Sequence, residues 1–109
     1  MDELDFRKKS EAVLENLRRR LLALADQFDF EVEGEGGKLE LVFEEPEPTR
    51  CVISPNTPAR QIWISALATS FKLGWSEAVG DFVLERSGET LSQLMSRILS
   101  QQLGTQVVV

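Results

Sequence analysis

The chain has 109 residues, 42% of them hydrophobic, and a formal net charge of −6 at pH 7. That is enough apolar content for one packed domain over residues 1–109 and too much for a disordered chain. The acidic balance argues against nucleic acid as a partner, and no apolar run approaches the roughly 20 residues needed to span a bilayer. There is one cysteine, Cys51, and no histidine. An internal disulfide and a Cys-based zinc site are therefore excluded, the commonest metal ligand and general base are missing, and any metal site must be built from oxygen. The opening Met-Asp-Glu-Leu-Asp is unlike a secretory signal or a basic transit peptide. With the lone cysteine it points to a reducing cytoplasm.

Phe6, Val13, Leu14, Leu17, Leu21, Leu24, Ala25 and Phe28 recur at three- and four-residue steps. This spacing predicts an amphipathic helix over about residues 4–27, with Arg7, Lys8, Glu11, Glu15, Arg18 and Arg19 on its polar stripe. Glu15, one turn before Arg18 and Arg19, adds a few tenths of a kcal/mol through favourable pairing. The period then becomes alternating. Phe30 and Val32, then Leu39, Leu41 and Phe43, alternate with charged residues around Gly34, Gly36 and Gly37, which predicts two strands joined by a glycine hairpin. Residues 44–48, Glu-Glu-Pro-Glu-Pro, form a loop, because each proline lacks a ladder donor.

Cys51, Val52 and Ile53 form a third strand; Pro55, Asn56 and Pro58 make a turn; residues 60–65 form a fourth. There Ile62 and Ile64 face the core, while Gln61 and Trp63 face outward. An outward Trp is a frequent docking anchor; the alternative is a half-covered Trp that only packs. Residues 68–75 are ambiguous, a short strand reaching Trp75 being one reading, and Thr69, Ser70 and Ser76 read as loop polar residues. Phe82 to Glu85 is the last strand. After the Ser87-Gly88 turn, Thr90 and Gln93 give a capping-box signature. Leu91, Leu94, Met95, Ile98 and Leu99 form a buried stripe, and Gly104 marks the stop. The tail Val107-Val108-Val109 is expected to pack, since a free apolar tail is an aggregation hazard. The order helix, short strands, helix predicts an α+β two-layer sandwich. Both helices pack on one face of an antiparallel sheet, and the other face stays wet.

Enzyme signatures are lacking: there is no Ser-His-Asp set, no Cys-His pair and no phosphate loop. Cys51, in an apolar strand, reads as a packing residue. The acidity is local, because residues 26–47 hold 9 acids and one base. Solvated strand faces account for it, as does a surface for cations or a basic partner. Asp29, Glu31 and Glu33 read as alternate positions on one strand face, about 6.8 Å apart, with Asp26 at the helix end. That spacing is too wide for a tight cage and suits weak binding of hard, hydrated cations.

The run Asn56, Pro58, Gln61-Ile62-Trp63-Ile64-Ser65 resembles the frataxin family, bacterial CyaY-like branch. Gly36-Gly37-Lys38-Leu39-Glu40-Leu41 is similar to its glycine turn and second strand. Arg86-Ser87-Gly88-Glu89-Thr90, and the helix ending Gln101-Gln102-Leu103-Gly104, are similar to its C-terminal helix. The resemblance spans nearly the whole chain and implies the same sandwich. It also implies a non-enzymatic accessory protein of iron–sulfur cluster assembly, monomeric alone, that docks on a cysteine desulfurase and its scaffold protein and modulates cluster formation. Weak, surface-bound iron would sit on the acidic ridge, here Asp26, Asp29, Glu31 and Glu33. Trp63, Gln61 and Asn56 would contact the scaffold, with Lys72 near a basic contact position. Late in the first helix the family usually carries acids, whereas this chain has Arg18, Arg19, Leu22, Ala23 and Ala25. That departure makes Arg18 and Arg19 candidate partner contacts and favours a second reading, a protein-interaction domain of the same fold without iron function. An iron-storing or iron-oxidising protein ranks last, for want of histidine and clustered carboxylates.

Overall fold

The computed structural model describes residues 1–109 as two helices and six strands in the order α1 (Glu3–Ala25), β1 (Glu31–Glu35), β2 (Lys38–Phe43), β3 (Thr49–Asn56), β4 (Gln61–Ala66), β5 (Thr69–Ser76), β6 (Asp81–Leu84) and α2 (Leu91–Leu103). The strands form one antiparallel sheet in sequence order, β1 to β6. Each strand sends alternate residues to one side, where Leu39, Leu41, Phe43, Ile53, Ile62, Ile64, Leu73 and Phe82 join the buried stripes of both helices in one core. The α+β sandwich is as expected, and the other face of the sheet is uncovered.

The helix ends follow local chemistry. The Asp2 carboxylate accepts from the Asp5 amide at 2.8 Å and starts α1. In α2 the Thr90–Gln93 capping box forms in both directions, at 2.9 and 3.3 Å, and Gly104 in the left-handed conformation ends the helix. Phe6, Leu14, Leu17 and Leu21 line the buried face of α1 as the spacing predicts, and they are joined by Ser10, only 2% exposed. Its hydroxyl satisfies itself by donating to the Arg7 carbonyl at 3.3 Å. A serine amid a leucine stripe carries no periodic signal, so the sequence did not mark it.

Several boundaries differ from expectation for clear reasons. Pro55 and Asn56 are the last residues of β3, not part of the turn, which occupies residues 57–60. Pro55 is tolerated because β3 there has run past its last pair with β2, Leu39 with Ile53, and needs no donor on that side. The ambiguous 68–75 segment is a full eight-residue strand, β5. Its hairpin turn is made by Leu67 and Ala68, both at positive φ, 53° and 60°. Such a turn normally carries Gly or Asn, so its chemistry was hidden. Thr69, Ser70 and Ser76 therefore lie in a strand rather than a loop. The valine tail does pack: Val107 is buried, and its amide and carbonyl both bond the Ser100 hydroxyl at 2.9 and 3.1 Å. The Val109 amide bonds Ser96 at 2.9 Å.

Candidate functional site

The uncovered face is assembled by register. Trp63 on β4 lies opposite Ser54 on β3 and Lys72 on β5, while Gln61 lies opposite Asn56 and Gly74. Ile62 and Ile64 are buried, whereas Trp63 is 36% exposed. The indole N–H donates to the Gln61 side-chain oxygen at 2.9 Å. The Lys72 ammonium stands over the ring, 4.7 Å from its centroid. Around it on the face Ser54, Ser65, Ser70 and Gly74 are small, while Val52 and Asn56 are larger. Trp63 thus stands above its surroundings, with its polar atom already satisfied and one ring face covered by a cation. A large amphipathic ring held this way loses little conformational freedom when a partner covers it. Asn56 has a local task as well, its side chain accepting from the Ala59 amide at 3.0 Å and closing the β3–β4 turn.

At the other end of the sheet, β1 is an acidic edge. Glu31, Glu33 and Glu35 project onto the open face and are exposed. Asp29 does not belong to this row. It sits in the bend before β1, because the chain leaves α1 through a turn over residues 26–29 and pairing begins only at Glu31, opposite Val42. Asp26 caps the end of α1. Nor is the row free of cations. Arg50 on β3 reaches across β2 and bonds Glu40 at 2.6 Å and Glu33 at 3.3 Å. Lys38 bonds Glu40 at 3.2 Å. Hydrogen bonds first from Lys38 and then from Arg50 hold the Glu40 carboxyl below the usual range. The sequence analysis did not single out Arg50, which precedes its third strand; the span to Glu33 depends on the β1–β2–β3 register.

No group of three or more His, Cys, Asp or Glu side chains is placed to hold a metal ion. Of the four expected ligands, Glu31 and Glu33 share a strand face, Glu33 is claimed by Arg50, and Asp26 and Asp29 lie on the preceding turn. A chelating site does not fit this arrangement. On α1, Arg18 forms a two-point bridge with Glu15 at 2.9 and 3.0 Å, and Arg19 bonds the same carboxylate at 3.4 Å. The hydrogen bond from Arg18 pulls the Glu15 carboxyl below its ordinary value. This helix face is therefore cationic, as the departure in sequence implied. Cys51 is buried on the core side and its thiol is pushed up to about 12 by burial, which suits packing and leaves it un-ionised and unreactive at neutral pH.

The chain is thus a two-layer sandwich whose helices leave one sheet face bare, with an aromatic side chain on that face. A frataxin-like domain profile matches residues 1–105, and the chain belongs to the frataxin-like family. It is 30% identical over 112 aligned positions to the iron–sulfur cluster assembly protein CyaY of Herminiimonas arsenicoxydans, covering 100% of this chain and 96% of that protein. It is 31% identical over 103 positions to CyaY of Ralstonia nicotianae, covering 94% and 88%. It is 29% identical over 79 positions to CyaY of Azotobacter vinelandii, covering 72% and 70%. The frataxin of Psychromonas ingrahamii has the same fold, with a TM-score of 0.77 at 20% identity over 99% of this chain and 97% of that one. No helix is long and apolar enough to cross a membrane.

Proposed function

We propose that this protein is an accessory factor of iron–sulfur cluster assembly in the bacterial cytoplasm. It docks on a cysteine desulfurase and its scaffold protein through the open sheet face and modulates cluster formation without catalysing a step itself. The observation that carries this reading is Trp63, exposed on the bare face yet held by Gln61 and Lys72, in a chain whose relatives bear the cluster-assembly name. Trp63 and Gln61 supply the central contact, with Lys72 and Asn56 at its margin. The acidic edge, Glu31 and Glu33 with Asp26 and Asp29, contributes long-range attraction to hydrated ferrous iron or to a basic partner. Any iron held there is cargo, weakly bound and solvated. The test is the rate of cluster formation by desulfurase and scaffold with and without this protein, and with Trp63→Ala. A rate unchanged by the wild-type chain overturns the reading.

Arg18 and Arg19 favour a second reading, an interaction domain of the same fold without iron function. Their bridges to Glu15 leave an arginine-rich face where iron attraction would need acids. Ferrous titration followed by NMR separates the two: broadening of the Glu31 and Glu33 amides supports the first, and none at millimolar metal supports the second.

A further inference from the structure

One position on the open face has no internal reason to be what it is. Gly74 lies inside β5, where a glycine weakens a strand because it has no side chain to pack. It is not among the glycines at positive φ, and a Cβ there would meet nothing within 4 Å. Neither the backbone nor the packing of this chain therefore calls for glycine. A strand glycine of this kind marks a place where a second molecule can come close.

The register makes Gly74 the empty corner of a square. On β4, Gln61 and Trp63 belong to the open face; opposite them on β5 stand Gly74 and Lys72. Gln61 and Lys72 are both drawn toward the far corner, Trp63. The Gln61 side-chain oxygen accepts from the indole N–H at 2.9 Å, and the Lys72 ammonium lies 4.7 Å from the ring centroid. The groups left over are donors. An indole can only donate, so it fixes which end of the Gln61 carboxamide it meets and leaves the NH2 without a partner. Lys72 makes no ion pair within the chain. In the same row Asn56 accepts from the Ala59 amide at 3.0 Å, which likewise leaves its NH2 free. On the other side of Gly74, half-buried Val83 on β6 adds an apolar wall. The next acid, Asp81, is one row further on, opposite Ser76, with a carboxylate oxygen on the Phe82 amide at 2.7 Å.

We propose that the Gly74 corner receives an aspartate or glutamate side chain of the docking partner, and that Gly74, Lys72 and Gln61 make the face selective for it. The carboxylate descends over the glycine, where no Cβ blocks it. It accepts from the Lys72 ammonium on one side and from the Gln61 NH2 on the other, with its methylene stem against Val83. Hydrogen bonds to an ionised group are the stronger kind and depend on placement. A basic side chain is rejected at this corner, because it meets a cation and finds no free carboxamide acceptor. The inference rests on the docking reading and deepens it: Trp63 supplies contact area, and the empty corner sets the charge of the residue beside it.

The test measures the affinity of the full chain for the desulfurase–scaffold complex by calorimetry, with melting temperatures alongside. Gly74→Val fills the corner. Because a Cβ there meets nothing and valine suits a strand, its melting temperature should hold or rise, while binding weakens about tenfold. Lys72→Glu should weaken binding about thirtyfold. Changing one exposed acid of the partner to Lys should then restore most of that loss, while weakening binding of the wild-type chain. The Gln61 side-chain amide signals should shift in NMR spectra of the complex, and shift less when that acid is replaced by its amide. Binding that is lost in Trp63→Ala but indifferent to Gly74→Val and Lys72→Glu overturns this inference and leaves the docking reading standing. A Lys72→Glu loss that no acid-to-Lys change in the partner repairs also overturns it. No binding by the wild-type chain overturns both.

Discussion

The patch around Trp63 and the acidic edge on β1 lie on the same sheet face, and they are organised in opposite ways. Trp63 is fixed by two internal contacts, from Gln61 and Lys72, before any partner arrives. The glutamates of β1 are exposed and dispersed, and one of them, Glu33, is tied to Arg50. The first arrangement resembles a short-range anchor, whose energy comes from desolvation of a rigid ring. The second acts over a Debye length and influences how often partners meet more than how long they stay. Under the proposed docking role, placing both on one face would separate capture from retention.

That separation can be broken first along β4 itself. Ile64, fully buried one residue beyond Trp63, should cost about 2–5 kcal/mol when replaced by Ala, lowering the melting temperature by about 10 °C or more. Trp63→Ala should leave the melting temperature nearly unchanged yet weaken partner binding by about 2 kcal/mol, roughly thirtyfold. Thermal melts with binding isotherms on the two variants give the comparison directly. A large melting loss at Trp63 with unchanged affinity would make it a packing residue.

The edge should respond differently. Changing Glu31, Glu33 and Glu35 to Gln should slow association with a basic partner and flatten its salt dependence while leaving dissociation nearly constant, measurable by stopped-flow at several ionic strengths. Converting Arg18 and Arg19 to Glu should raise attraction to divalent cations and to basic partners and speed docking, with stability changed by less than about 1 kcal/mol. Like charges beside Glu15 account for the small loss. If that variant instead loses its own desulfurase, the two arginines are matched contacts.

The smallest effect concerns pH. Glu40, bridged by Lys38 and Arg50, has a carboxyl held below its ordinary value. A depressed folded value means the bridge stabilises the fold above the unfolded carboxyl value of about 4.3. That contribution disappears as pH falls through the lower folded value. An NMR titration of Glu40 should move its midpoint upward in Arg50→Met, with the Trp63 signals unaffected.

Most of this architecture was legible in the residues. Both helices were written in apolar stripes, and the second in its caps as well. Five of the six strands were legible, and the outward turn of Trp63 followed from Ile62 and Ile64 being inward. These features survive because they are set by local geometry, the 3.6 and 2.0 periods and the bonding of chain ends. The limits were equally physical. Strand β5 was obscured because Leu67 and Ala68 adopt left-handed backbone without the residues that usually advertise it. Asp29 was placed on a strand because alternation continued one step beyond the point where pairing begins.

The sequence by itself determined the class of fold, the bare face with its Trp and the arginines on α1, because each depends on residue type and short-range spacing. Only the tertiary structure decided that Arg50 reaches across β2 to Glu33, that Ser10 enters the core and that Ser100 ties down Val107. It alone left the β1 edge open while Glu89 and Thr90 cover β6. Those outcomes depend on the register between strands and on how two helices cross one sheet, relations between residues far apart in the chain that no local pattern encodes.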